Sequence, residues 1–189
     1  MRIAVYSGSF NPMHIGHIAI VRYLLDSGGF DKVYLVVSPR NPFKDSAIAA
    51  NSDERLAAAR QAIRQNGLSE RVVVEDIEFS MPQPSYTVHT LDALQAREPA
   101  ARFTLIIGAD NLPDILKWHE GERLLSQYGI AVYPRDGFDM EHDRHVLYHT
   151  PHHHPFHIKT MKDAPKIEVS STKIREILSR GGDASSLLA

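Results

Sequence analysis

His14 and His17 stand three residues apart around Ile15-Gly16, directly behind the run Ser7-Gly8-Ser9-Phe10-Asn11-Pro12. Residues 2–7 read as a short buried strand, and Gly8 and Pro12 punctuate a tight loop. The apolar spacing of Ile18, Val21, Leu24 and Leu25 reads as a helix beginning near Gly16. The histidines therefore fall at a strand-to-helix junction, where unpaired backbone N–H groups and the positive end of the helix dipole attract phosphate. Gly16 would admit a ligand close to the backbone, and two imidazoles three residues apart can face one way and donate to phosphate oxygens. A lone histidine at a helix end is more often a cap or a solvated side chain. Two that flank a glycine behind such a loop form a compound signal.

A second segment near the other end carries the same chemistry. Val169-Ser170-Ser171-Thr172-Lys173-Ile174-Arg175 places hydroxyls where a helix N-cap belongs, and Ile174, Ile177 and Leu178 continue an apolar face. First helical turns prefer Asp or Glu, yet Lys173 and Arg175 lie in or beside this one, where the dipole disfavours cations. A bound anion would reverse that penalty, and the arginine fork matches phosphate bidentately. An ordinary Ser-capped helix with solvent-facing basic residues explains the segment alone equally well; pairing with the histidine motif favours a clamp.

The elements that would hold these groups alternate. Apolar runs at 33–37, 71–74 (continuing toward Phe79), 103–107, 130–133 and 156–161 are strand candidates. Residues 52–65, 87–96 and 120–127 read as helices, the first with Ser52 as a plausible N-cap. Alternation with near-continuous hydrophobic strands predicts an α/β fold: a Rossmann-like, doubly wound parallel sheet with helices on both faces and ligands at the carboxyl ends of the strands. At 189 residues and 43% hydrophobic content, one domain spanning 1–189 is expected. Without cysteine there is no disulfide framework and no thiol catalysis. No apolar run approaches membrane-spanning length, and no signal-like core follows the N-terminus, so no membrane partner is expected and a cytoplasmic location is the default. A net charge of −2 argues against a nucleic-acid polymer as partner while allowing a local pocket for small anions.

Two stretches resist this pattern. Residues 39–51 form a Pro-containing loop, and 136–155 is polar and holds His142, His145, His149, His152, His153 and His154, with His157 just beyond. Imidazole suits zinc or nickel, but no Cys and no ordered His/carboxylate spacing accompanies the cluster, which favours a solvated loop or an oligomer contact. No metal held by protein side chains is expected. Oligomeric state stays open, a homo-oligomer included.

With the His-x-Gly-His motif at 14–17 and the Ser-Ser-Thr-x-x-Arg-like segment at 170–175, the chain resembles the nucleotidyltransferase superfamily. Class I aminoacyl-tRNA synthetases share the first motif, but their lysine-rich second signature is absent and the chain is too short for one. Pro84-Ser85-Tyr86-Thr87 leading to Thr90-Leu91, Ile107-Gly108-Ala109-Asp110, and Trp118 eight residues beyond Asp110 narrow the resemblance to the bacterial nicotinate mononucleotide adenylyltransferases, over about residues 3–175.

That resemblance implies ATP and nicotinate mononucleotide as substrates, deamido-NAD and pyrophosphate as products, and Mg²⁺ accompanying ATP. It implies a catalytic role for His14, His17 and Arg175 at the triphosphate, with Gly8, Ser9, Phe10, Gly108, Asp110, Ser171 and Thr172 also on the ATP side. Asp110, expected at the carboxyl end of a strand, is placed to accept ribose hydroxyls. Ser85, Tyr86 and Thr87, expected at a helix start, would hold the carboxylate or amide of the pyridine, and Trp118 would stack on the ring; a plain N-cap and a core or surface-patch tryptophan are the ordinary alternatives. Lys44 and Arg135 match positions that help bind the mononucleotide phosphate. Relatives commonly carry Gly-Gly-Thr-Phe-Asp-Pro where this chain has residues 7–12, so Asn11 removes a carboxylate and its role does not transfer. The histidine often found before the lysine at 44 is also missing. Two rival readings remain: a sister enzyme with another acceptor such as phosphopantetheine or a sugar or polyol phosphate, and a noncatalytic nucleotide-binding or metal-responsive module.

Overall fold

The computed structural model describes residues 1–39 and 52–189. Six strands, β1 (Arg2–Gly8), β2 (Lys32–Val37), β3 (Val72–Glu75), β4 (Arg102–Gly108), β5 (Ile130–Tyr133) and β6 (Ile158–Thr160), form one sheet in the order β3-β2-β1-β4-β5-β6, every pair parallel. The strand order reverses between β1 and β4, so the crevice outside their carboxyl ends is the topological switch point where such sheets bind ligands. This is the doubly wound Rossmann-like architecture expected from the alternating pattern.

The two-residue period of the strands divides the core into two layers. Ala4, Tyr6, Val33, Leu35, Val37, Ile106 and Ala131 face one cluster with Ile20, Val21 and Leu24 of helix α1 (Ile15–Asp26) and Ala59 and Ile63 of α2 (Ser52–Gln65). Ile3, Val5, Tyr34, Val36, Leu105, Ile107 and Val132 face the other, with Val88, Leu91 and Leu94 of α3 (Thr87–Arg97). A 3-10 helix (Ala109–Lys117) and α4 (Gly121–Arg123), which runs into a π-turn (Leu124–Tyr128), complete that second layer. Burial on both faces is why these strands read as unbroken apolar runs.

Two expectations need correction. The run at 71–74 does not extend as a strand to Phe79: β3 stops at Glu75, and residues Ile77–Ser80 coil into a 3-10 turn. That turn carries Glu78 inward, where it is buried and accepts hydrogen bonds from Thr90 and Ser85. The polar stretch at 136–155 is not simply a loop, because Met140–His149 forms helix α5, capped by the Asp139 carboxylate, which accepts from the Glu141 and His142 N–H groups at 3.1 Å. Helix α6 (Ser171–Ser179), its N-cap being Ser170, is followed by a 3-10 turn (Ser185–Leu187), after which Leu188 bridges to His14.

Candidate active site

The first turn of α1 is built around the two histidines. His14 is the N-cap in extended conformation, and its backbone N–H donates to Nδ1 of His17 at 3.2 Å. The rings stack with centroids 3.6 Å apart at 24°. Because His17 Nδ1 accepts, the single proton of the neutral ring sits on Nε2. His14 is buried, and its Nδ1 has no partner. Burial, and secondarily the Arg135 guanidinium, lower the His14 imidazole to about 4. Burial, His14 and Arg135 hold His17 well below its ordinary value. Both rings are therefore neutral N–H donors at pH 7.

The loop before them serves this pair. Phe10 adopts a left-handed conformation (φ 44°), and its buried ring meets Tyr6 edge-on at 5.6 Å and His17 at 5.0 Å. A non-glycine residue pays about 1–2 kcal/mol for that backbone, and here it reverses the chain out of β1. Phe10 thus supports His17 from the sheet side. A Cβ on Gly16 would collide with Ile167 Cγ2 at 2.5 Å and lie 3.0 Å from the His14 ring. Its missing side chain admits the segment that leads into α6.

Helix α6 brings the second anion-binding sequence to the first. The Ser171 hydroxyl donates to the Pro12 carbonyl at 3.0 Å, and Arg175 donates to the Asn11 carbonyl at 2.6 Å and to the Thr172 hydroxyl at 3.1 Å. Two helix N-termini therefore converge on one loop at the carboxyl end of β1. On the other side of the switch point, Asp110 and Arg135 approach to 3.5 Å, and the Arg135 Nε is buried without a hydrogen bond. A Cβ on Gly108 would strike the Asp110 carboxylate and lie 3.0 Å from Arg135 Nε, so glycine is what lets this pair meet. Arg135 also depresses both histidines, which puts its charge at the same mouth. Gly8, the last residue of β1, and Ser9 just after it are half-buried.

The 3-10 helix Ala109–Lys117 links Asp110 to a second group. Trp118 ends it, half-buried against the α3 layer. The next residue, His119, stacks on Tyr86 at 4.1 Å and 19°. Tyr86 is the extended N-cap residue of α3 and makes no side-chain cap; its carbonyl accepts from the His89 and Thr90 N–H groups, which leaves those of Thr87 and Val88 at the helix start for a ligand. The Ser85 hydroxyl is already committed, donating to Glu78 at 3.2 Å. Lys44 lies outside the described residues.

A family model described as cytidylyltransferase-like matches residues 5–177. The chain belongs to the cytidylyltransferase-like family. Among relatives of this cytidylyltransferase-like protein, one from Bacteroides fragilis is 42% identical over 182 residues, 96% of this chain and 84% of its own, and carries the name "probable nicotinate-nucleotide adenylyltransferase". One from Porphyromonas gingivalis with the same name is 38% identical over 97% of this chain and 87% of its own. The fold is shared with the Plasmodium falciparum nicotinic acid mononucleotide adenylyltransferase complexed with NaAD, at a TM-score of 0.78, 20% identity, and coverage of 96% of this chain and 86% of that one. The cytidylyltransferase-like protein thus sits within the nicotinate-nucleotide adenylyltransferase branch of its family.

Two participants escaped the sequence reading. Glu78 is buried and accepts from Thr90 Oγ1 at 2.8 Å as well as from Ser85, which pins the first turn of α3 from below. Its alternating position in an apparent strand disguised it. Ile167 packs where Gly16 lacks a side chain, and nothing local in sequence marks that contact.

Proposed function

We propose that the protein transfers the adenylyl group of ATP to nicotinate mononucleotide, giving deamido-NAD and pyrophosphate. The observation that carries this reading is the convergence of two helix N-termini, at His14 and at Ser171, on the loop beside the β1/β4 switch point. Tyr86, stacked on His119 beside Trp118, puts aromatic side chains one 3-10 helix away from Asp110, the kind of surface a pyridine ring needs. The names of the relatives and the NaAD held by the Plasmodium falciparum enzyme support this choice of substrates.

In this reading a phosphate oxygen of the mononucleotide attacks the α-phosphorus of ATP. The bond from that phosphorus to the bridging oxygen of the β-phosphate breaks, and pyrophosphate leaves. No protein nucleophile is needed, so the protein positions two anions in line and offers donors to the charge that builds on the leaving oxygens. His17 Nε2–H, His14 and the guanidinium of Arg175 are the donors, with Ser171, Thr172 and the α6 N-terminus beside them. Asp110 accepts ribose hydroxyls, and Arg135 meets phosphate. Trp118 and the α3 start at Thr87 hold the pyridine and its carboxylate.

The donors around the histidine pair are imidazole, guanidinium and hydroxyl, with the Asp110 carboxylate turned toward Arg135. Such a set suits Mg²⁺ carried by the substrate phosphates and water, because Mg²⁺ prefers oxygen ligands and keeps its waters. Bound there, it would neutralise charge on the triphosphate.

Incubation with ATP, Mg²⁺ and either nicotinate or nicotinamide mononucleotide, followed by pyrophosphate measurement, tests the assignment. Turnover with the nicotinate form is expected. No pyrophosphate with either acceptor, alongside measurable ATP binding, would reject it.

A further inference from the structure

His89, His119 and Glu120 come from two separate elements and meet on the surface. His89 is the third residue of α3, whereas His119 and Glu120 follow Trp118 at the end of the 3-10 helix. His119 Nε2 lies 3.6 Å from Glu120 Oε1, and His89 Nε2 lies 3.9 Å from the same oxygen. All three donor atoms fall within 4.8 Å of one another, and no other such His/Asp/Glu trio occurs among the described residues. The histidine-rich stretch at 142–157, the obvious candidate by composition, does not form one.

We propose that this trio is a binding site for an imidazole-preferring divalent metal ion of the zinc, nickel or copper class. Two neutral imidazoles and one carboxylate leaving a position open is an established zinc donor set, with metal–nitrogen bonds of about 2.0–2.1 Å and donors roughly 3.3 Å apart in a tetrahedron. Both Nε2 to Oε1 separations are already within about 0.6 Å of that spacing, and all three residues are exposed, so small side-chain rotations close the site. The three groups are also held in place from behind. Arg123 donates to the other Glu120 oxygen at 2.5 Å, which orients the carboxylate. His119 is fixed face-on by Tyr86, and His89 meets His119 edge-on at 5.1 Å and 77°, so the two rings are not stacked against each other. Glu120 is one of two non-glycine residues with a left-handed backbone among those described (φ 51°), at a cost of about 1–2 kcal/mol, and that conformation turns its side chain back toward α3. Mg²⁺ is a poor occupant, since two of the three donors are nitrogen.

The test is calorimetric titration of the full chain with Zn²⁺ alone, in a His145→Gln/His149→Gln background. That background removes the imidazole pair that lies one turn apart on α5, with ring centroids at 4.0 Å and planes tilted by 39°. One strong equivalent of Zn²⁺ should bind. Adding His89→Gln or His119→Gln should each weaken it by about a hundredfold or more, beyond what loss of an outer contact costs. Both positions are exposed, and circular dichroism checks that each variant is folded. Co²⁺ gives an independent readout, because a four-coordinate ion absorbs visible light far more strongly than an octahedral one. An intense Co²⁺ band that disappears in His119→Gln supports the site. A titration with no strong equivalent, an affinity unmoved by either added substitution, or only a pale octahedral spectrum would overturn it.

Discussion

The His14 N–H to His17 Nδ1 hydrogen bond decides which atom His17 can offer a ligand. With Nδ1 occupied as an acceptor at 3.2 Å, the neutral ring has one donor, Nε2–H, and the stacked His14 ring holds it in one orientation. The motif works as a unit: the backbone of one histidine sets the tautomer of the other.

His17→Ala is expected to lower turnover by about a hundredfold, the usual cost of losing a donor that acts mainly in the transition state. Steady-state kinetics on protein shown to be folded by circular dichroism provides the measurement. Undiminished turnover would remove His17 from the reaction.

Both imidazoles titrate below the unfolded value of about 6.5, His14 at about 4. The unfolded chain therefore binds protons more readily between those values. The contribution of these rings to stability is complete above about pH 6.5 and is lost as pH falls through the folded values. A triphosphate acts in the opposite sense, since its negative charge raises both. ATP binding at pH 6 should accordingly take up protons, seen as a buffer-dependent heat in calorimetry, and this uptake should fade by pH 8. A buffer-independent heat at pH 6 would mean that the phosphates do not reach the rings.

Glu78→Leu removes the acceptor of the part-buried Ser85 hydroxyl and leaves the buried Thr90 hydroxyl only the Tyr86 carbonyl at 3.4 Å, and should cost about 1–3 kcal/mol in urea unfolding. Because Glu78 pins the start of α3, KM for the mononucleotide should rise while KM for ATP stays near its original value. Equal rises in both would show that the α3 start is not specific to the acceptor.

Trp118 is the only tryptophan in the chain, which makes its fluorescence a direct reporter. Nicotinate mononucleotide should quench it by stacking, and ATP alone should not. Quenching by ATP with no response to the mononucleotide would place the pyridine elsewhere.

Where the physics is local, the sequence already showed the fold. Strands β1, β2, β4 and β5 are buried on both faces and announce themselves as apolar runs, and α2 spans the residues its periodicity predicts. The β3 reading overran because Ile77 and Phe79 alternate as a strand would, while the inward pull on Glu78 curls the chain. Helix α5 was hidden because Leu147 is its one fully buried residue, although Asp139 ahead of Glu141 is a usable N-cap signal. At the site, His14, His17, Ser171 and Arg175 were visible as residue types, but their meeting depends on hydrogen bonds to Asn11 and Pro12 across about 160 positions of chain. The close approach of Ile167 to Gly16 and the stacking of His119 on Tyr86 likewise join separate elements and leave no trace in spacing.

The span from Asn11 to Arg175 bears on how the protein is made. During synthesis the histidine motif emerges well before Arg175, yet β4 must insert beside β1 and α6 must dock on the 11–12 carbonyls before the anion mouth exists. Such distant pairings form late in folding. A nascent protein is thus unable to sequester cellular nucleotide until α6 has been synthesised and docked, and a nucleotide that does bind selectively stabilises the folded molecule.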